Sequence, residues 1–217
     1  MRTNPFYDAW LFLMGQTEDH QKSGVGYLLT ALFLALLIAS LLIAWRNWRE
    51  HPTQRTGEHL ATWFMRVMIG SMWFQGSLWK LPLPVSEPFR FWTGELSNFA
   101  AFGWHRGFVT NVFLPLLPLI NPLVYLTELL LAVSFILGFL VRPFAAIGMV
   151  FVLHIWLGLY HHPHEWPWLY IFLVFVQGFF LVHGAGRSLG LDALLSRKPS
   201  APFAEDGAII RLYRKLA

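Results

Sequence analysis

Apolar residues along this chain occur in long runs separated by short polar stretches, and these runs predict membrane-spanning helices. From Ser23 to Trp45 no residue is charged, and Lys22 and Arg46 bound the run. A helix needs about 20 apolar residues to cross the hydrocarbon core of a bilayer. A cleaved signal peptide would have a shorter apolar region and a small-residue cleavage site, so we interpret this run as a retained helix. Four further segments complete a prediction of five spans, at roughly 60–82, 121–140, 143–162 and 166–185.

The long connection at 84–120 mixes aromatic with charged side chains, which is typical of a segment at the membrane interface. It contains the apolar stretch 111–120, which Pro115 and Pro118 interrupt. We therefore expect this stretch to be at most a re-entrant or interfacial half-helix, or else the start of a longer, kinked third helix.

Each of the last four predicted helices carries one stripe of polar or small residues on an otherwise apolar surface. At 100° per residue, side chains spaced by three, four or seven positions share a face. The stripes are Arg66, Gly70, Ser77 and Lys80; Asn121, Tyr125, Glu128, Ala132 and Arg142; His154, Gly158 and His161; and Tyr170, Gln177 and Gly184. Gln75 points away from the first stripe. Four such stripes can be buried together in a bundle, and we expect the first helix, which has no comparable stripe, to pack outside it.

Composition agrees with a membrane protein. Of the 217 residues, 56% are hydrophobic and only 13% are charged, whereas soluble domains carry about 25% charged residues. The chain has no cysteine, which excludes disulfides, thiolate metal sites and cysteine-ligated iron–sulfur clusters. We also predict no haem, because the two intramembrane histidines, His154 and His183, come from opposite depths.

The net charge of +4 would suit a nucleic-acid partner, but the distribution of basic residues indicates membrane orientation instead. With the N-terminus outside and the C-terminus inside, the inner segments hold 10 of the 16 Lys and Arg residues and the outer segments hold 5. Cytoplasmic loops are enriched in Lys and Arg, so we predict this orientation for a multi-pass protein that does not bind nucleic acid. Residues 208–217 predict a short basic amphipathic helix on the inner surface, or a partly ordered tail.

Ionisable groups at membrane depth are costly and usually mark function. At about 1.5 Å per residue, Glu128 lies roughly 10 Å and His154 roughly 12 Å below the outer ends of their helices. Lys80 lies near the outer end of its own helix, so these three side chains could form one hydrogen-bonded cluster. We predict Lys80, Glu128 and His154 as catalytic candidates, with Arg66 as a further candidate for a functional role.

Each candidate also has a purely structural explanation. Glu128 could clamp two helices together, His154 could be a core histidine satisfied by one neighbour, and Arg66 could extend its head group to the cytoplasmic surface. The His-His-Pro-His run at 161–164 could bind a metal ion, but the only carboxylate beside it is Glu165, and we predict no metal site.

Three short motifs in the region 60–195 carry a family resemblance. They are Arg66-(x)3-Gly70…Gly76-(x)3-Lys80-Leu81-Pro82, then Glu128-Leu-Leu…Leu137-Gly138-Phe139-(x)2-Arg142, and last Gly184-Ala-Gly-Arg187-Ser188-Leu-Gly190-Leu-Asp192. Together they resemble the DoxX/DoxD family of small bacterial and archaeal membrane proteins, and the long segment 84–120 suits the DoxD-like branch.

The resemblance implies an antiparallel four-helix transmembrane core at 60–195. The N-terminal part, 1–59, then adds an interfacial segment, one transmembrane helix and a basic inner loop, and 196–217 forms a basic cytoplasmic tail. For the DoxD-like branch, the resemblance implies association with thiosulfate:quinone oxidoreductase in a prokaryotic cytoplasmic membrane. Quinone is then the expected cofactor, and the candidates for binding it are Arg66, Lys80, Glu128 and His154. A partner subunit is expected in a larger membrane complex.

Two functions from different classes follow. The first is a membrane subunit of a quinone-linked oxidoreductase of the thiosulfate dehydrogenase type, in which Lys80 favours developing negative charge while Glu128 or His154 exchanges protons. The second is a non-catalytic structural or assembly subunit, in which the polar stripes only fix helix packing. Whether the chain is itself an enzyme stays open at this point. A transporter fits less well, because the chain is short and shows no inverted repeat.

Overall fold

The computed structural model describes residues 4–196 and Tyr213, and the described part is helical without β-strands. The predicted basic tail therefore lies outside the described residues, apart from Ser196 and Tyr213. The α-helices are α1 (Pro5–Leu13), α2 (Glu18–Lys22), α3 (Gly26–Glu50), α4 (Gly57–Leu78), α5 (Glu87–Asn98), α6 (Gly103–Phe108), α7 (Leu117–Leu137), α8 (Val141–Gly158), α9 (Pro167–His183) and α10 (Leu191–Leu195). Short 3-10 turns occupy Pro52–Gln54 and Ala185–Arg187, and a π-helical turn occupies Val109–Phe113.

The five long helices α3, α4, α7, α8 and α9 coincide with the five predicted segments. The largest shift is at α3, which continues to Glu50, and α7 begins four residues earlier than predicted, at Leu117. The alternative of an earlier start to the third helix is therefore confirmed for 117–120. Pro118 is compatible with this start because the first turn of a helix needs no backbone N–H from that position.

Three of these helices, α3, α7 and α8, are long and apolar enough to cross a membrane. The helix α9 is apolar but has only 17 residues, and α4 carries Glu58 and Arg66. The all-helical class is thus confirmed, together with three helices that could span a bilayer. The segment 84–120 forms α5 and α6, of 12 and 6 residues, which are too short to cross.

The chain forms two compact units. The first unit contains residues 4–35, 73–129 and 151–172, and the second contains residues 36–72, 130–150 and 173–196. Each of the five long helices therefore contributes one part of its length to each unit.

Aromatic rings form the core of the first unit near the N-terminus. The ring of Phe33 lies 5.0 Å from that of Phe12 and 4.9 Å from that of Phe74, between centroids. Phe33 and Phe74 are buried, so they hold α1, α3 and α4 together. Asn4 and Thr17 cap α1 and α2 through their side-chain oxygens, which satisfies backbone N–H groups at both helix starts.

His20 is buried beside this aromatic core and gives the N-terminal segment a predicted pH dependence. Its Nδ1 lies 2.7 Å from Thr17 Oγ1, and its ring lies 5.3 Å from the Phe12 ring. Burial lowers the pKa of His20, while Asp19 opposes this shift. A lowered folded-state pKa contributes stability above the unfolded value of about 6.5, and that stability is lost as the pH falls below it.

We therefore expect amide hydrogen exchange in α1 and α2 to accelerate between pH 7.5 and pH 5.5, after correction for the intrinsic rate. His20→Gln, which does not titrate, should remove the difference. Equal protection of wild type at both pH values would contradict this assignment.

The expectation that α3 has no polar stripe is wrong. In the second unit, Ser40 Oγ donates to the Ile136 carbonyl at 2.6 Å and accepts from Trp63 Nε1 at 3.2 Å. One helical heptad later, Asn47 Nδ2 donates to the Gly190 carbonyl at 3.0 Å, and Asn47 is fully buried. Ser40 and Asn47 are seven residues apart, so they lie on the same face of α3. Through their hydrogen bonds, α3 packs against the other elements of the second unit.

The predicted stripe on α4 is confirmed by burial. Arg66, Ser77 and Lys80 are at most 3% exposed, Gly70 is buried, and Gln75 is exposed on the other side. Gly70 also allows the predicted close approach of another helix. A Cβ at this position would lie 2.8 Å from Ile136 Cγ1 and 2.9 Å from Ile136 N on α7.

Candidate functional site

Lys80 lies in the turn directly after α4, and the local sequence explains its position. Pro82 and Pro84 follow closely, and the residue before a proline is disfavoured in the helical conformation, so α4 ends at Leu78. The Lys80 side chain folds back along the helix, where its Nζ donates to the Gly76 carbonyl at 2.6 Å. The ammonium thus satisfies one of the free carbonyls at the helix C-terminus.

Glu128, on α7, meets this ammonium. Glu128 Oε2 lies 2.6 Å from Lys80 Nζ, and the two side chains are only 4% and 3% exposed. The ammonium also lies 3.7 Å from the centroid of the Trp79 ring, a cation–π distance. The predicted meeting of Lys80 with Glu128 is confirmed.

Asn121 fixes the loop that carries Lys80. It is fully buried on α7, two turns before Glu128, and its Nδ2 donates to the carbonyls of Lys80 and Pro84, both at 3.0 Å. The same helix therefore binds the main chain at Lys80 and the ammonium of its side chain. This double attachment holds the ion pair in one geometry, which a flexible lysine would otherwise not keep.

The buried pair has the chemistry of a proton-exchange site. Removing a carboxylate and an ammonium from water is expensive, and their mutual attraction compensates only when the geometry is good. Transfer of one proton from Lys80 to Glu128 converts the charged pair, Lys80-NH₃⁺ with Glu128-COO⁻, into two neutral groups. The pair can therefore exist in either of these two states. A substrate that gains or loses charge beside them would shift that balance.

His154, the third predicted member of the cluster, has a different partner. Its Nδ1 lies 3.0 Å from Nε2 of His105, a residue on α6 that the sequence analysis missed. The Phe113 ring covers His154 at 4.8 Å between centroids. Within the described residues, no hydrogen bond joins His154 to Lys80 or Glu128. Lys80–Glu128 and His105–His154 are therefore separate pairs within the first unit. No spacing pattern marks His105, because its partner lies 49 residues away.

The histidines of the run at 161–164 are mostly at the surface. His162 Nε2 lies 3.3 Å from Glu95 Oε2 on α5, and its ring packs against Phe99 at 4.7 Å. His161 and His164 are exposed. Among the described residues, no three His, Asp or Glu side chains are grouped so that they could hold a metal ion.

Arg66 belongs to the second unit and not to the unit of Lys80 and Glu128. Its side chain is fully buried, which rules out the alternative that it extends to the membrane surface. Its Nη1 donates to the carbonyls of Phe135 and Ile136, and its Nη2 donates to the Ser188 carbonyl at 3.4 Å. The guanidinium thus donates hydrogen bonds to free carbonyls near the end of α7. A role of Arg66 in quinone binding stays a prediction.

The other motif positions converge on the same region of the second unit. Asp192 accepts from the backbone N–H groups of Leu140 at 2.8 Å and Val141 at 3.2 Å, which caps the start of α8. Burial raises the pKa of Asp192, although these bonds and Tyr213 oppose the shift. Gly184, with a φ of +57°, follows the last residue of α9, as expected for helix termination by glycine. The third resemblance motif and the end of the second, Gly138 to Arg142, therefore lie at the turns that join α9 to α10 and α7 to α8.

Gly138 gives a direct test of this packing. Its φ is +71°, and a Cβ there would lie 2.6 Å from Arg66 Nη1 and 2.7 Å from Gly190 Cα. The buried guanidinium is fixed by its carbonyl bonds and cannot move aside. We expect Gly138→Ala to lower the free energy of unfolding by about 1–3 kcal/mol through backbone strain and the clash.

The matched control for this prediction is Gly76→Ala on α4. A Cβ at Gly76 would meet nothing within 4 Å, so alanine should be neutral or stabilising by up to about 1 kcal/mol. Detergent-denaturant unfolding measures both variants. An equal effect at the two positions would show that the region around Arg66 tolerates a side chain.

A cleft of about 300 Å³ lies in the first unit, next to the ion pair along the chain. Its walls are mainly apolar, with a few charged and hydroxyl groups, and are formed by Asp19, Lys22, Trp79, Leu81, Pro82, Val85, Ser86, Glu87 and Pro88. Trp79 links the cleft to the pair, because its ring lines the cleft and contacts the Lys80 ammonium.

Comparison with known proteins does not identify a family or a function for this chain. A scan against protein-family models found no matching family, and searches of curated proteins and of solved structures found no match. The DoxX/DoxD resemblance therefore stays a prediction, carried by motif residues that meet in the second unit and by the Lys80–Glu128 pair in the first.

Proposed function

We propose that this chain is the membrane subunit of a quinone-linked oxidoreductase, with thiosulfate as the electron donor that the DoxD resemblance implies. The observation that carries the proposal is the buried Lys80–Glu128 ion pair, whose atoms are 2.6 Å apart. An ion pair held in an apolar helical region is expensive to keep, and such groups in membrane proteins usually serve ion or proton chemistry.

Quinone chemistry needs what this pair can supply. Reduction of a quinone to a quinol adds two electrons and two protons, and negative charge develops on the ring oxygens. The Lys80 ammonium would stabilise that charge, and Glu128 would exchange a proton with the oxygen. The isoprenoid tail would lie among the apolar side chains of the surrounding helices.

The cleft beside Trp79 is the proposed entry point for the quinone ring. Its apolar walls suit a planar aromatic head group, and small-molecule sites start at about this volume. Trp79 lines the cleft and its ring contacts the Lys80 ammonium, so a quinone ring bound in the cleft would lie beside a residue that touches the ion pair.

The proposal includes a placement in the membrane. All five long helices would cross a prokaryotic cytoplasmic membrane, with α4 and α7–α9 as an antiparallel four-helix core, the N-terminus outside and the C-terminus inside. Reporter fusions test this placement, and a result with residues 47–59 and 140–143 on the outer side would overturn it. Because the sequence has no cysteine and no recognisable redox-cofactor motif, a partner subunit would deliver the electrons.

The decisive experiment uses purified protein in lipid nanodiscs with a photoreactive quinone analogue. We expect labelling of residues that line the cleft or flank Lys80, with competition by unlabelled quinone. Addition of the protein to its membrane complex should raise the rate of thiosulfate-dependent quinone reduction. A protein that neither binds quinone nor changes this rate would refute the proposal.

A structural or assembly subunit is the second candidate, and one observation favours it. Among the described residues, the hydrogen bonds of Arg66 and Asn121 go to main-chain carbonyls, and this fixes the main chain without any need for a ligand. In that case, loss of the Lys80–Glu128 pair would disrupt the assembly of the complex and would leave no separate effect on its chemistry.

A further inference from the structure

A buried histidine, His105, and a half-buried one, His154, form a pair of imidazoles in the first unit. Nε2 of His105 lies 3.0 Å from Nδ1 of His154, and the ring centroids are 4.8 Å apart. His105 is 2% exposed. A direct imidazole–imidazole hydrogen bond uses one nitrogen of each ring, so each ring keeps one further nitrogen for another partner.

Both remaining nitrogens lack a protein partner. Nδ1 of His105 and Nε2 of His154 are inaccessible to solvent and have no hydrogen bond within the described residues. Leaving a buried polar atom without a hydrogen bond is energetically costly. Each end of the hydrogen-bonded pair therefore has a nitrogen that is available to bind a group from outside the chain, such as water or a substrate.

The surroundings favour a neutral pair. Phe113 and Phe108 lie 4.8 Å and 6.3 Å from the His154 ring, and Trp104 lies 5.5 Å from the His105 ring. Burial lowers the pKa of His105. Phe113 ends the π-helical turn that follows α6, a rare conformation that often occurs at functional sites.

A neutral pair has only two arrangements of its protons that keep the hydrogen bond between the rings. In one, His105 carries its proton on Nε2 and His154 carries its proton on Nε2, which leaves a lone pair on His105 Nδ1. In the other, both protons are on the Nδ1 atoms, which leaves a lone pair on His154 Nε2. The two ends are therefore always opposite in kind, with a proton donor at one end and a proton acceptor at the other.

We infer that His105 and His154 form a proton relay that serves the quinone site. This inference rests on the proposed function and adds His105 as a residue that passes protons to or from the substrate. During quinol formation, a proton binds at His105 Nδ1, the Nε2 proton of His105 moves to His154 Nδ1, and the Nε2 proton of His154 leaves toward the quinone oxygen. One proton enters and one leaves, no net charge stays on the pair, and the reverse sequence serves quinol oxidation.

Nitrogen NMR of the full chain in bilayers, with ¹⁵N-labelled histidine, tests the relay independently of quinone activity. A relay requires both proton arrangements to be populated. We expect the ¹⁵N shifts of His105 Nε2 and His154 Nδ1 to lie between the protonated and unprotonated limits, with a coupling across the N–H···N bond. His105→Gln assigns the signals. Shifts fixed at the two limits, or no coupling, would overturn the inference.

Chemical rescue separates a relay from simple packing. His105→Ala should lower the quinone-linked rate about 10²-fold, and added imidazole should restore it by filling the space with a ring that has two exchangeable nitrogens. 1-Methylimidazole has no N–H and cannot pass a proton from one nitrogen to the other, so it should not rescue. Equal rescue by both compounds would show that the ring only fills space.

His183→Ala is the control, because His183 is exposed on α9 and should respond to neither compound. If His105→Ala does not fold, His105→Gln keeps the side-chain volume and should show the same loss of rate. A wild-type protein with intermediate nitrogen shifts but no quinone activity would refute the proposed function and leave the proton-sharing pair established.

Discussion

Replacing Glu128 with glutamine is expected to lower the quinone-linked rate by about 10²–10⁴-fold, the usual loss when a general acid–base group is removed. Glutamine keeps the shape of the side chain and can still accept a hydrogen bond from the Lys80 ammonium. It cannot exchange a proton, however. The measurement is thiosulfate-dependent quinone reduction across a range of pH, on protein whose folding and membrane insertion are checked separately.

Glu18→Gln is the matched control for this variant. Glu18 is also a glutamate of the first unit, but its side chain is 84% exposed and does not line the cleft, so the rate should stay unchanged. Full activity of Glu128→Gln at every pH would end the proton-exchange proposal. Loss of co-purifying subunits, with the rate per assembled complex unchanged, would favour the structural candidate.

Removing the positive partner should have the largest effect on stability. Lys80→Met leaves the Glu128 carboxylate buried without a counter-charge, and breaking a buried ion pair on one side costs about 3–5 kcal/mol. The double variant Lys80→Met/Glu128→Leu removes both charges and should recover most of that loss. Unfolding in mixed micelles, at a fixed ratio of denaturing to native detergent, gives the free energies for this comparison.

Lys22→Met is the control on the same protein. It breaks the Lys22–Glu18 pair at 2.9 Å, whose side chains are 67% and 84% exposed. Solvent-exposed pairs contribute little, so no measurable change is expected. If Lys80→Met were as stable as wild type, or if the double variant were no better than the single one, the pair would not be energetically coupled.

Much of this protein is determined by local sequence. The five long helices follow from runs of apolar residues, because helix formation in a membrane protein depends mainly on length and hydrophobicity. The burial of Arg66, Ser77 and Lys80 follows from helical periodicity. The Lys80–Glu128 contact could be predicted from depth, since two opposite charges on polar stripes have few other ways to be satisfied.

Other features were decided only by the tertiary structure. The partner of His154 is His105, on a short interfacial helix, and depth and periodicity say nothing about a residue outside the long helices. In the sequence, Ser40 and Asn47 are two small or polar residues in an apolar helix. Only the folded chain shows that they bind the carbonyls of Ile136 and Gly190. Local sequence determines which side chains of a helix are buried, because the polar face of each helix follows from its own periodicity. Their partners are determined by contacts over long sequence separations, which exist only once the helices have packed.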